Sequence, residues 1–147
     1  MIWKKKTNQL EQPLWYPPTE QVKYPQWTFV NVINTNKFYL LLDKTKMEFI
    51  SERAFHSWGK PYISVTKESI SGYTKWKDIG FAVGTILCSS IDNTQWFISG
   101  KDVLAGERRL ITSPDFYQKL GFDLSWSYVV SLAEIDFHSR GEDIIVN

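Results

Sequence analysis

The pattern of apolar and polar positions changes character at residue 28. Ahead of it, residues 1–27 follow neither a helical nor a strand period, and Pro13, Pro17, Pro18 and Pro25 punctuate the run "EQPLWYPPTEQVKYPQW". Proline fixes φ, removes a backbone donor and pushes the preceding residue into extended conformations. Residues 1–27 therefore predict an extended, partly polyproline-like arm. Trp3, Trp15, Tyr16, Tyr24 and Trp27 hang apolar surface from it. Such a segment differs from a flexible Gly/Ser linker, and also from ordinary disorder, which is poor in aromatics.

From Thr28 the pattern is that of strands. "TFVNVI", the turn chemistry "NTN" and "KFYLLLD" predict a hairpin. In "MEFISERAFHSWG", Met47, Ile50, Ala54, Phe55 and Trp58 match helical spacing, with Thr45 and Glu48 as a capping box and Gly59 and Pro61 as a stop. A tight turn at "DKTK" gives the preferred alternative, a strand at 47–50 and a short helical turn at 51–58. "PYISVT" reads as a strand, and Ile79 to Cys88 as a strand buried on both faces. "IDNT" is a turn and "QWFIS" its return strand. "SPDFYQKLG" carries helix signals: Ser113 as N-cap, Pro114 in the first position, Asp115 in the first turn and Gly121 after the end. "LSWSYVVSLAEIDFHS" reads as one long strand and "EDIIVN" as a short last one. The expected fold is mainly β, bordering on α+β. It is an antiparallel barrel or sandwich with one or two short helices, formed by a single domain over residues 28–147 behind the N-terminal arm.

Composition narrows the function classes. Seventeen basic residues stand against sixteen acidic ones among 147, which disfavours a protein held to nucleic acid by bulk charge. No apolar run follows "MIWKKK" as in a secretory signal, and none approaches the ~18 residues of a membrane span. The expectation is a chain that is cytoplasmic when synthesised, with no membrane association. The single cysteine, Cys88, has no internal partner and sits in the apolar run "GTILCSS" as a packed thiol. Aromatics make up 16% of the chain, with seven tryptophans. That supplies core area and also binding anchors.

Three groups of residues bear on chemistry. Glu134, Asp136 and His138 would share one face of the long strand, and carboxylates beside an imidazole can hold a divalent metal or share acid–base work. Glu142 and Asp143 follow a turn at Arg140-Gly141 and could approach them. The ordinary role for this stripe is the wet face of an amphipathic strand. His56 has no companion at ligand spacing, so His56, His138 and Cys88 cannot form a zinc-type cluster. No G-x-S-x-G, P-loop or dinucleotide fingerprint occurs, and the glycines of "GFAVG" precede no helix. No catalytic residue and no cofactor are assigned.

The second group is "GYTKWKDIGFAV", residues 72–83, which interleaves Tyr73, Lys75, Trp76, Lys77 and Phe81. Aromatics beside lysines are what single-strand binders use. The stretch resembles the opening of a cold-shock domain, where a lysine-tryptophan pair precedes a Gly-Phe strand; the resemblance implies stacking of nucleic-acid bases on these rings. The segment between Trp76 and Gly80 is shorter than in that family, its second aromatic-rich strand is missing, and the chain is about twice as long. Exposed tryptophans also suit a glycan-binding module.

The third group is the arm. An extended aromatic segment gains little in water and much on a partner, where it adds a strand or seats rings in pockets. The leading expectation is a non-enzymatic structural subunit of a larger assembly, a virion (phage) protein foremost. It would bind protein partners or copies of itself as an oligomer, with Trp15, Tyr16, Tyr24 and Trp27 as anchors. Nucleic-acid or glycan binding, and a metal-dependent enzyme built on Glu134, Asp136 and His138, are the alternatives.

Overall fold

The computed structural model describes residues 5–6, 9–10, 24–100, 102–113, 115–121, 123, 125 and 127–145. The chain divides into two compact units, Met1–Ile79 and Gly80–Asn147. Their boundary falls inside "GYTKWKDIGFAV", where no break in the apolar pattern marks it.

In the first unit, β1 (Lys5–Lys6) and β2 (Gln9–Leu10) form a short antiparallel pair. The main sheet follows with β3 (Thr28–Val32), β4 (Phe38–Leu42), β5 (Thr45–Glu48), β6 (Tyr62–Val65) and β7 (Thr74–Lys75), in the order β6-β3-β4-β5-β7. β3, β4 and β5 make an antiparallel meander. β6 joins β3 and β7 joins β5 in parallel. One face carries Phe29, Phe38, Leu40, Met47 and Phe49, all buried, against the helix α1 (Glu52–Ser57). The Phe55 ring of α1 lies 4.6 Å from Phe38 and 5.2 Å from Phe49, centroid to centroid. The other face carries Val30, Val32, Tyr39, Leu41 and Val65, which cluster with Ile70 of a 3₁₀ turn at Glu68–Ile70 and with Tyr24, Ile63 and Tyr73. A sheet covered on both faces explains why "FYLLL" shows no alternation. Burying each large apolar side chain contributes roughly 1.5–3 kcal/mol.

Local chemistry sets the ends of α1. The Ser51 hydroxyl accepts the Ala54 N–H at 3.1 Å, an N-cap with Glu52 behind it in the first turn. The strand-then-helix alternative is therefore the one formed, and Thr45 serves in β5 instead of capping a helix. The turns of this unit are unusual. The first 58 residues contain no glycine. Even so, Trp27 (φ 65°), Asn34 (65°), Asp43 (52°) and Lys44 (62°) occupy the left-handed region. Each L-residue held there costs about 1–2 kcal/mol unless a side chain compensates.

The second unit contains β8 (Ile86–Ser89), β9 (Gln95–Ser99), β10 (Glu107–Leu110) and β11 (Ser127–Val130), in the order β10-β9-β8-β11. β11 runs parallel to β8 and the other pairs are antiparallel. Two short helices complete it, α2 (Phe116–Leu120) and α3 (Leu132–Asp136). The C-terminal segment lies along β10 through parallel bridges at Arg108–Arg140 and Ile111–Ile144.

The result is a mixed, mainly β fold with two main sheets and short helices. It corrects four expectations. Pairing is not purely antiparallel, because β6, β7 and β11 each join in parallel, and neither main strand order closes on itself among the described residues. The strand expected over Ile79–Cys88 begins only at Ile86, after a turn in which Gly84 takes φ 97°. The long strand at the C-terminal end stops at Val130. There Ser131 accepts the Glu134 N–H while Glu134 accepts the Ser131 N–H, a capping box that turns "SLAEID" into α3. "EDIIVN" contributes isolated bridging at Ile144 instead of a strand. α2 forms as expected and ends at Gly121 (φ 73°), but it starts after Asp115, and Ser113 accepts the Asp115 N–H.

Candidate functional site

Residues 24–27 of the expected arm are fastened to the body of the first unit. The Tyr24 N–H donates to the Tyr73 hydroxyl oxygen at 2.8 Å, and the two rings sit 6.4 Å apart. Gln26 grips the hairpin loop between β4 and β5. Its amide NH₂ donates to the Asp43 carboxylate and its carbonyl accepts the Asp43 N–H, both at 2.6 Å. The Trp27 N–H donates to the Leu41 carbonyl at 3.0 Å, and the Thr28 hydroxyl closes the turn on the Pro25 carbonyl. These bonds hold Trp27 and Asp43 in their left-handed backbone conformations.

Tyr24, Pro25, Gln26, Leu41, Asp43, Lys44 and Tyr73 line an open groove of about 480 Å³. Its walls combine two phenol rings and a proline with a carboxylate, an ammonium and an amide. Beside this groove in sequence, the Trp27 side chain is 47% exposed.

The expected anchors therefore divide. Tyr24 is half-buried against its own unit, and Trp27 presents its indole to solvent. Trp15 and Tyr16 lie outside the described residues. Gln26, Asp43 and Lys44 were not singled out from the sequence. "DKTK" signalled the hairpin loop, but nothing in the residue order joins it to Gln26.

The five residues considered for nucleic acid do not share a face. Phe81 is buried in the second unit, and Tyr73 is occupied with Tyr24. The Lys75 ammonium is held by Glu48 at 3.2 Å and Asp78 at 3.3 Å; these hydrogen bonds raise its pKa, Glu48 more than Asp78. Trp76 is exposed with the Lys77 ammonium 4.8 Å over its ring, so this pair alone retains the expected character.

The carboxylate–histidine stripe is undone by α3. Glu134 is buried and spends its carboxylate on Ser131. Asp136 is exposed and pairs with Arg108 at 3.0 Å. His138 is buried, with its Nδ1–H donating to the Gly106 carbonyl at 2.9 Å and its Nε2 accepting the Phe81 N–H at 3.1 Å. Burial pushes the His138 pKa below its ordinary value; the Gly106 bond opposes this in part, and the Arg108 charge adds a lesser push downward. Among the described residues no group of three or more His, Cys, Asp or Glu is placed to hold a metal. Asp143 pairs with Arg140 at 2.8 Å, and Glu142 gives its backbone carbonyl to Arg109. His56 lies on α1, 3.6 Å from Glu52. Cys88 is half-buried on β8. No helix among the described residues is long and apolar enough to cross a membrane.

Comparison with known proteins finds no matching family model, no matching curated protein and no matching solved structure.

Proposed function

We propose that the chain is a non-enzymatic interaction module of a larger assembly, which docks onto neighbouring copies of itself through the face around Trp27. One observation carries this reading. A tryptophan occupies a left-handed turn position that favours glycine, and its indole stands about half in water beside a groove walled by Tyr24 and Tyr73. Backbone strain of this kind persists where the surroundings hold it, and it concentrates at working surfaces. Tryptophan is also the residue most enriched among interface hot spots. The first unit has a core of its own on both sheet faces, so Trp27 is not needed to complete it.

The setting that fits first is a virion or a similar shell, where arms tie β-rich bodies together. That part is an analogy of style, not of motif. The test is sedimentation of the full-length chain and of Trp27→Gly. Glycine relieves the turn and removes the indole. The full-length chain is expected to sediment above monomer mass. Trp27→Gly should fall to monomer while unfolding no earlier. A monomeric full-length chain, or an unchanged mass for the variant, would sink the reading.

A further inference from the structure

The second unit carries a feature that interaction through Trp27 does not use. His138 is 3% exposed and has both ring nitrogens committed to backbone groups. A carbonyl can only accept, so the Gly106 bond puts the hydrogen on Nδ1. An N–H can only donate, so the Phe81 bond needs Nε2 bare. The neutral ring with one proton on Nδ1 satisfies both partners. A second proton turns Nε2 into a donor that faces the Phe81 N–H, another donor.

The ring has no room to step aside. A Cβ placed on Gly80 would lie 2.4 Å from Nε2 and 2.8 Å from the Phe137 ring, so the imidazole rests directly on the Gly80 backbone. The charged surroundings do not rescue a cation. Arg108 of β10 contributes a like charge, and Asp136 of α3 already pairs with that guanidinium. Glu134 of α3 is engaged by Ser131, and Glu107 of β10 sets its carboxylate against Gly141. The stretch from Gly80 to Ala82 contributes no ionisable side chain.

The two backbone groups that His138 holds lie just outside the paired strands. Phe81 precedes β8, and Gly106 opens β10 while resting on Ile98 of β9. β8 and β9 are joined to each other by their own antiparallel ladder. Loss of the imidazole contacts therefore bears first on the Gly80–Phe81 segment and the Gly106 turn.

We propose that His138 is an acid-released latch: a proton on Nε2 frees Gly80–Phe81 and the Gly106 turn and uncovers Phe81, while β8 and β9 stay paired.

Hydrogen exchange of the full-length protein, corrected for the intrinsic effect of pH, tests this. Between pH 7.5 and 5, peptides spanning 80–84 and 104–108 should exchange about tenfold faster, a loss of about 1.4 kcal/mol of protection. Peptides spanning 86–89 and 95–99 should hold their protection. His138→Gln offers an N–H for Gly106 and a carbonyl for Phe81 but gains no proton, so its exchange should be flat across this range. Equal acid response in the variant, a flat response in the unaltered protein, or uniform loss of protection that includes β8 and β9 would each overturn the latch. If His138→Gln does not fold, nitrogen NMR of the unaltered ring decides. Nε2 must become protonated in step with the faster exchange, and opening while the ring stays neutral overturns the proposal.

Discussion

The Tyr24 backbone N–H donates to the phenol oxygen of Tyr73 at 2.8 Å, across 49 residues of chain. This bond joins the root of the arm to the segment that leads into β7. It holds the backbone at Tyr24 against its own unit. Tyr73→Phe keeps the ring and its packing but removes the acceptor, leaving a partly buried N–H without this partner. The expected loss is about 0.5–1.5 kcal/mol, read from urea unfolding. An unchanged midpoint would mean that water replaces the phenol at no cost and that the root is loosely held.

The β4–β5 loop is the two-residue Asp43-Lys44, with both residues at positive φ. That is the backbone of a tight hairpin turn in which the second position favours glycine. Lys44→Gly should therefore stabilise the first unit by about 0.5–1 kcal/mol, once the extra freedom of glycine in the unfolded chain is set against the relieved strain. Lys44→Val should destabilise it, because a β-branched side chain fits this region poorly. Thermal melts of the two variants moving in opposite directions would verify the turn.

Glycines 80 and 121 are required for different reasons, and alanine at each separates them. At Gly80 the new Cβ would sit 2.4 Å from the His138 ring. Overpacking of this kind costs about 1–3 kcal/mol and displaces the imidazole. At Gly121 nothing lies within 4 Å, but φ is +73°, so the penalty is conformational and about 1 kcal/mol. Gly80→Ala should perturb the His138 ring resonances, whereas Gly121→Ala should leave them in place.

Local signals in the sequence were legible where one face or one cap decided the outcome. "TFVNVI", "NTN" and "KFYLLLD" became the β3–β4 hairpin because the apolar strands and the turn residues agree. "QWFIS" returned on β8 for the same reason. Legibility failed where distant residues decide. β10 is "ERRL", charged in sequence, and it is a strand because it lies between β9 and the C-terminal segment. The parallel edge strands follow from crossovers that no periodicity records. "SLAE" did carry its own signal, the serine and glutamate of a capping box, which the apolar run before it masked. At the candidate site Tyr24 and Trp27 stood out by type. The pairing of Gln26 with Asp43 depends on the folded turn and has no trace in the residue order.

The same capping box bears on metal binding. Ser131→Ala removes the acceptor for the Glu134 N–H and should cost about 1 kcal/mol, typical of a lost N-cap. Asp136→Asn breaks an ion pair whose carboxylate faces solvent, and it should change stability by less than about 1 kcal/mol. With Glu134 and His138 turned to other partners, excess zinc or magnesium should leave the melting temperature where a chelator leaves it. A metal-dependent rise that Asp136→Asn or His138→Gln abolishes would restore the stripe as a site.

Acid should weaken the second unit through His138, and the sign follows from the direction of its shift. Its folded pKa lies below the ordinary value of 6.5, chiefly through burial. The unfolded state therefore binds the proton more readily than the folded state does. This group's contribution to stability is complete above the unfolded value. It declines as pH falls below about 6.5, and the decline continues until the folded-state pKa is passed. Denaturant unfolding of the second unit, followed through its amide signals, should show stability level above pH 7 and falling toward pH 5. In His138→Gln that fall should be shallower, because one proton-binding difference has been removed. Parallel profiles for the two proteins would place the acid sensitivity elsewhere.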